Sequence, residues 1–376
     1  MMEKPVVGVV GLGTMGLGIA QVFAQAGFSV LVTDTQSSAR GSAVARLAEV
    51  LGARVSAGKL FTNARDATLA RLTVVDELRA MSAAGLVIEA IVEKVEAKRA
   101  LFTTLETVVA REAVLATNTS SLSVAAIAQG LAHPSRVLGL HFFNPAPAMK
   151  LVELVAHPGT DPEALSLAQA VTEAAGKTVI SCPDQPGFIV NRCARPFYGE
   201  ALALLEEGRS ASEIDAAMIA AGYRIGPFGL IDLIGADINL AATQGLAAAM
   251  GGHPRYHVFG ALQTQVEKGE LGRKSGRGFI FPGAPGAAPK DSAAIALRIE
   301  AVLANEAASL LAKVGTDEAG IDTALRLGLN FPRGPFEAAR AHGLARIRAT
   351  LTALEAAAPA HLQGRYAISP ALEAME

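Results

Sequence analysis

Two residues stand out for the chemistry their surroundings allow. Glu153 lies inside the apolar run Leu151–Val155, and His141 follows the apolar run Val137–Leu140. A carboxylate flanked by leucine and valine is costly to bury unless it is paired. Histidine titrates near neutral pH, so an imidazole held by a carboxylate can act as a general base whose cation is stabilised. Taken singly, His141 also fits a core histidine bonded to backbone, and Glu153 a solvated strand edge. Together, twelve residues apart across a proline-containing turn, they form a candidate base and its orienting partner. Two polar clusters accompany them: Thr117-Asn118-Thr119-Ser120-Ser121 after the run Ala113–Ala116, and Asn144 in the string that starts at His141.

A second signal sits near the start. Gly11-Leu-Gly13-Thr14-Met15-Gly16 follows the strand-like run Val6–Val10 and opens a helical pattern that ends at Gly27. The next strand, Ser29 to Thr33, ends on Asp34. In this context each glycine has a reason: Gly11 for the tight turn, Gly13 for close approach of a pyrophosphate, Gly16 for helix-on-sheet packing. The helix start offers free N–H groups to phosphate. Asp34 can accept from ribose hydroxyls and would repel a 2′-phosphate, so the motif predicts NAD over NADP. Residues 11, 13, 14, 15, 16 and 34 are the candidate cofactor contacts. Beside an NAD site, a histidine base fits removal of a hydroxyl proton as hydride leaves the same carbon.

The elements that must position these residues follow a coarse pattern. Apolar runs at 6–10, 29–33, 86–92, 113–116, 137–140 and 151–155 alternate with helix-like segments, which predicts a parallel, doubly wound sheet. After about residue 186 strand-like runs become scarce and Ala/Leu/Glu helices dominate. Pro282 to Pro289 has linker composition. Domain boundaries are expected at 1–184, 185–282 and 290–376. The last two are expected to be copies: Glu200 matches Glu306, Ile214-Asp215 matches Ile321-Asp322, and Gly226-Pro-Phe228 matches Gly334-Pro-Phe336. A helical unit that packs on its own copy buries a large apolar face.

Composition excludes other classes. The 376 residues are 51% hydrophobic and 18% charged, with net charge −2. That suits several buried cores and argues against a nucleic-acid binder. Cys182 and Cys193 lack metal or redox spacing, so no metal is expected and two reduced thiols in a cytoplasmic protein are. No run reaches the ~18 apolar residues of a membrane span.

The motifs together resemble the L-3-hydroxyacyl-CoA dehydrogenase family, which includes 3-hydroxybutyryl-CoA dehydrogenases. The resemblance rests on GLGTMGLGIA at 11–20, VIEAIVE at 87–93, TNTSSL at 117–122, HFFNPAPAMKLVELV at 141–155, PGFIVNR at 186–192 and LGRKSGRGF at 271–279. It implies an α/β Rossmann-type domain followed by an all-α region, here with two tandem helical domains. It implies NAD as cofactor and an acyl-CoA as substrate, oxidised at the 3-hydroxyl with His141 as base and Glu153 as its partner. Ser120 and Asn191 match residues that hold the substrate oxygen. Asn118, Glu93 and Lys98 match residues near the ribose and nicotinamide, and Asn144 the junction of cofactor and substrate. Ser120 also fits a helix N-cap, and Asn191 a capping or interface amide. Lys59, near Arg46 and Arg54, fits a CoA phosphate contact or a solvated helix face. Leu297 stands opposite Asn191 in the second copy, which implies one active site per chain. The chain is then a monomer with an internal pseudo-dimer, or a homodimer. The other readings are a dehydrogenase of a free hydroxy or sugar acid of the gulonate type, and a non-catalytic crystallin-like relative.

Overall fold

The structure is a computed structural model that describes residues 4–311, 315 and 317–376; part of the second repeat segment, 312–314 and 316, lies outside the described residues. The chain divides into two compact units, up to Gln185 and from Pro186 onward. The first unit carries strands β1 (Val6–Val10), β2 (Val30–Thr33), β3 (Leu72–Val74), β4 (Ala84–Glu89), β5 (Val114–Thr117), β6 (Val137–Phe142), β7 (Leu151–Ala156) and β8 (Thr178–Pro183). Its helices are α1 (Thr14–Gln25), α2 (Ser37–Ser56), α3 (Thr62–Ala70), α4 (Val95–Glu106), α5 (Val124–Ala128) and α6 (Pro162–Ala174). The strands form one sheet in the order β3-β2-β1-β4-β5-β6-β7-β8. β1 and β4 are nearly continuous runs of buried Val, Leu and Ile, as expected of strands covered on both faces.

The sheet is not wholly parallel, which corrects the expected pattern. β1 to β6 pair in parallel, but β7 runs antiparallel to β6, and β8 parallel to β7. The reason is loop length. A parallel return needs a crossover of a dozen or more residues, and only residues 143–150 separate β6 from β7. Three strand ends also differ from expectation. β6 runs on through His141 to Phe142, so the histidine lies inside the strand. β4 stops at Glu89 rather than near residue 92, because the Glu89 carboxylate accepts from the Ile91 N–H (3.0 Å) and folds the chain out of the sheet. The short edge strands β3 and β8 were not expected.

The second unit is helical, as expected, with α7 (Val190–Glu206), α8 (Ala211–Ala220), α9 (Pro227–Ile234), α10 (Ala236–Ala249), α11 (Gly260–Glu267), α12 (Ser292–Leu311), α13 (Glu318–Leu329), α14 (Pro335–His342), α15 (Leu344–Ala357) and α16 (Pro370–Ala374). Among its described residues only an isolated bridge, Gly272 to Arg277, is strand-like. A Ser210–Glu213 capping box starts α8. No described helix is long and apolar enough to cross a membrane.

α7 and α12 are buried almost all round and pack on each other. Each carries a fully buried glutamate, and the partners of the two are reciprocal. Glu306 on α12 accepts from Arg192 Nε (2.5 Å), Tyr256 OH (2.6 Å) and Arg255 Nη1 (3.1 Å). Glu200 on α7 accepts from Arg298 Nε (2.6 Å), Tyr366 OH (3.0 Å) and Arg365 Nη2 (3.2 Å). Burial raises the Glu306 pKa, but Arg192 and Arg255 outweigh it and hold the carboxyl below its ordinary 4.5. A depressed acid contributes stability that is full above its ordinary pKa and fades as pH falls through the folded value. Glu306→Ala leaves two guanidinium groups without their counter-charge, and we expect a loss of about 3–5 kcal/mol in urea unfolding at neutral pH. The gap between variant and parent should narrow as the pH drops below the ordinary carboxylate range. A change under about 1 kcal/mol at neutral pH would show that the pair is dispensable.

Candidate active site

The antiparallel β6–β7 ladder sets His141 directly opposite Glu153. Residues in that relation point to the same face and their side chains can touch. His141 Nδ1 lies 2.6 Å from Glu153 Oε2, with the carboxylate fully buried and the imidazole 6% exposed. An ionised carboxylate only accepts, so Nδ1 carries the hydrogen and Nε2 is left with its lone pair. That is the tautomer a proton acceptor needs. Phe143 covers one side of the ring, centroid to centroid 4.5 Å. The solvated-edge alternative for Glu153 is excluded by its full burial.

At the carboxyl end of β1, on the same edge of the sheet, the glycine turn has the shape its spacing predicts. Gly11 has φ +97°, and a Cβ there would lie 2.5 Å from the Ala90 carbonyl. A Cβ on Gly16 would lie 1.8 Å from the Gly11 carbonyl. Gly13 is different: a Cβ there meets nothing within 4 Å. It faces open space at the start of α1, where no side chain caps the helix. Thr14 and Met15 form the first turn. This is a cradle that fits a pyrophosphate. Asp34, at the end of β2, has one oxygen 2.7 Å from Leu12 N and the other 2.8 Å from Gln36 N. The carboxylate therefore shapes the turn as well as standing at its mouth. Arg46 braces the same turn through the Leu12 carbonyl (2.6 Å).

Between these two sites lies a polar loop set. Glu93 Oε1 accepts from Thr119 Oγ1 (2.6 Å), Ser120 N (3.1 Å) and Ser121 Oγ (3.2 Å). Burial raises its pKa, but the Thr119 hydroxyl and the Lys98 charge prevail and hold it below 4.5. Lys98 does not reach solvent. Its ammonium is buried 2.8 Å from Glu89 and 3.2 Å from Glu93. It ties the end of β4 to the loop that Glu93 organises. Asn118 Oδ1 accepts from Phe142 N (2.9 Å), which locks its amide beside His141's strand. Ser120 is exposed on the loop, and the N-cap of α5 is Ser123, not Ser120. Asn144 is exposed on the β6–β7 loop. Lys177 closes that loop with bonds to the Ala146 and Met149 carbonyls (2.6 and 2.7 Å), and burial pushes its ammonium down to about 8.

Lys59 is exposed just past α2, and so is Arg54. Arg46 turns inward, so the three do not form one basic patch. Asn191 belongs to the second unit, in the first turn of α7. Its segment is tightly wound, with Gly187 at φ +76° and Arg192 N bonded to the Gly187 carbonyl (2.9 Å). Sequence reasoning missed the Glu89–Lys98 pair. A carboxylate inside an apolar run was visible at Glu89 just as at Glu153. It also missed Asp184, which caps α5 through Val124 N and Ala125 N (2.9 and 2.7 Å).

A Rossmann-type sheet, a phosphate cradle and a carboxylate-held histidine define a nicotinamide-dependent dehydrogenase. Comparison with known proteins narrows the class. The family model for the 3-hydroxyacyl-CoA dehydrogenase NAD binding domain matches residues 6–185. The model for the C-terminal domain of the same enzymes matches residues 187–281 and again 295–375. The chain belongs to the 3-hydroxyacyl-CoA dehydrogenase family, and its cofactor is NAD. It is 45% identical over 280 residues to the 3-hydroxyadipyl-CoA dehydrogenase of Escherichia coli, a match that covers 74% of this chain and 59% of that protein. It is 40% identical over 278 residues to a 3-hydroxybutyryl-CoA dehydrogenase of Mycobacterium tuberculosis, covering 73% of this chain and 96% of that one. The crystal structure of 3-hydroxybutyryl-CoA dehydrogenase from Escherichia coli superposes with TM-score 0.91 at 33% identity, over 99% of this chain and 98% of that one.

The glycine contacts separate fold from binding. We expect Gly16→Ala to lower thermal stability by about 1–3 kcal/mol through the clash with Gly11. We expect Gly13→Ala to melt at the parent temperature but to weaken NADH binding by at least ~tenfold, because its methyl occupies the cradle. Fluorescence titration with NADH, beside a melt, checks both. Parent-like NADH affinity in Gly13→Ala would remove the cradle from the binding site.

Proposed function

We propose that this enzyme oxidises the 3-hydroxyl of an acyl-CoA thioester to the 3-oxo compound, reversibly, with one active site per chain. The observation that carries the reading is the buried His141–Glu153 pair. NAD supplies the hydride acceptor at its nicotinamide ring. His141 Nε2 takes the hydroxyl proton, and Glu153 stabilises the imidazolium that forms. Ser120 holds the substrate oxygen from the loop that Glu93 organises. Asn191 is assigned the same task on the strength of its place in the PGFIVNR segment. Asn118 and Glu93 serve the ribose and nicotinamide end of the cofactor, with Lys98 as the buried cation that positions Glu93. Asn144 lies where cofactor and substrate meet, and Lys59 serves the CoA phosphates. Asp34 selects NAD by accepting from the ribose and repelling a 2′-phosphate.

The helical unit is read as two tandem copies, 185–282 and 290–376, after an NAD domain of residues 1–184. The double match of one domain model supports this, as do the reciprocal Glu200 and Glu306 clusters. Local detail repeats too. Asp215 accepts from the Phe228 and Gly229 N–H groups, and Asp322 from those of Phe336 and Glu337. A helical domain whose apolar face is covered by its own copy needs no partner subunit there, so the chain is proposed to be a monomer. A cytoplasmic setting is proposed with it.

Acetoacetyl-CoA with NADH, followed by loss of nicotinamide absorbance, tests the activity. Turnover of free gulonate with none of the thioester would overturn it. We expect His141→Gln to lower kcat by ~10²–10⁴ while NADH binding is retained. An equal loss of NADH affinity would make the histidine a structural residue.

A further inference from the structure

Among the described residues of the helical unit, three arginines are buried: Arg192, Arg195 and Arg365. Arg192 is paired with Glu306 and Arg365 with Glu200. Arg195 has no carboxylate within ion-pair distance among the described residues. Its Nε donates to the Asn191 carbonyl (3.3 Å), and its Nη1 to the Asn239 carbonyl (3.2 Å) and to Thr243 Oγ1 (3.2 Å). The guanidinium lies 4.9 Å over the Tyr198 ring. Burial without a counter-ion pushes its pKa down. A cation carried into low dielectric is expected to meet an anion there.

A second observation stands beside it. Asn239, on α10, is 1% exposed, and neither its amide oxygen nor its amide nitrogen has a hydrogen-bond partner. Buried amides are ordinarily satisfied, so an orphan of this kind marks a missing partner. Asn239 and Thr243 are one helical turn apart, on the same face of α10. The Thr243 hydroxyl gives its hydrogen to the Asn239 carbonyl (2.8 Å) and so fixes the turn that Arg195 is bonded to. This leaves the unpaired guanidinium and the unsatisfied Asn239 amide as the donors for a carboxylate.

The position along α7 gives the ligand. Asn191 is the residue assigned to the substrate oxygen, and Arg195 follows one turn later, about 6 Å along the axis. The Arg195 side chain leans back toward Asn191, as its bond to the Asn191 carbonyl shows. An acyl chain held at its 3-oxygen by Asn191 would bring a group a few carbons further along within reach. We propose that Arg195, with the Asn239 amide, binds a free carboxylate at the far end of the acyl chain, so that the enzyme prefers ω-carboxyacyl-CoA thioesters. This rests on the acyl-CoA reading above. The E. coli relative at 45% identity is itself named for 3-hydroxyadipyl-CoA, a substrate with that terminal group.

The test compares two six-carbon thioesters, 3-hydroxyadipyl-CoA and 3-hydroxyhexanoyl-CoA, which differ at the far end by carboxylate against methyl. We expect kcat/KM to favour the diacid by at least ~tenfold in the parent, with the difference in KM. Arg195→Met should abolish that preference and Arg195→Lys should restore part of it. Asn239→Asp supplies an internal carboxylate to Arg195, so it should keep the melting temperature and lose the preference. This second variant covers the case in which Arg195→Met fails to fold. Equal kcat/KM for the two thioesters in the parent would overturn the proposal, and so would a preference that survives both Arg195→Met and Asn239→Asp. No turnover of either thioester would instead overturn the acyl-CoA reading itself.

Discussion

A carboxylate carried into a protein interior loses its water and must find a counter-charge or hydrogen-bond donors there. This chain accepts that constraint repeatedly. Glu89, Glu153, Glu200, Glu300 and Glu306 are all fully buried. Each has a specific partner: Lys98, His141, Arg298 with Arg365, Arg333 with His342, and Arg192 with Arg255. Each pair fixes two backbone segments that would otherwise be free to shift. Glu89 and Lys98 hold the exit of β4. Glu153 and His141 hold the ladder that carries the proposed base. Glu200 and Glu306 lock α7 against α12. The site's rigidity and the helical unit's packing therefore come from the same physics.

The direction of one strand decides whether that physics yields a base. Had β7 returned parallel to β6, it would have needed a long crossover, and Glu153 would not stand opposite His141. The eight residues between the strands leave room only for a turn. Lys177 holds that turn by two backbone carbonyls, so the loop bearing Asn144 is anchored from β8's side of the sheet. A short loop thus sets strand direction, strand direction sets the cross-strand pair, and the pair sets the tautomer.

Much of this was legible in the residues. The glycine turn, α1, β2 and Asp34 have a fixed mutual spacing, and the contacts of Gly11 and Gly16 show why no other residue fits. Glu153 was legible because its apolar flanks left it no solvent. Strand direction was not, since an alternating or apolar run carries no sign of parallel or antiparallel pairing. β3 has only three residues, and β8 mixes Thr178, Ser181 and Pro183 with its apolar positions, so neither reads as a buried run. Lys98 reads as an ordinary helix-surface lysine until Glu89 is seen beneath it. The reciprocal glutamates served as landmarks for the repeat, but their burial was hidden in Ala/Leu/Glu helices that also suit a surface. The missed clue was an arginine eight residues before each glutamate, and an Arg-Tyr pair at both 255–256 and 365–366.

The two stretches of the helical unit that match one domain model share some features and differ in others. The shared core of the two halves is retained: the paired glutamates, the Asp215 and Asp322 caps, and the Gly-Pro-Phe starts of α9 and α14. Elsewhere the halves part. In the second half Glu300 is buried with Arg333 and His342, and it also accepts from Tyr223 OH of the first half. By the repeat register, the first-half positions matching Glu300, Arg333 and His342 are Ala194, Ile225 and Ile234. The second half gained a closed ion network on α12. The first half kept on α7 the opposite arrangement: Asn191, then a buried Arg195 with no acid to meet it. The two buried glutamates are met across the α7–α12 contact, Glu306 by Arg192 and Arg255 and Glu200 by Arg298 and Arg365. The position matching Asn191 is Leu297, an apolar side chain that can donate no hydrogen bond, so the proposed substrate contact and the unpaired Arg195 fall in the same half.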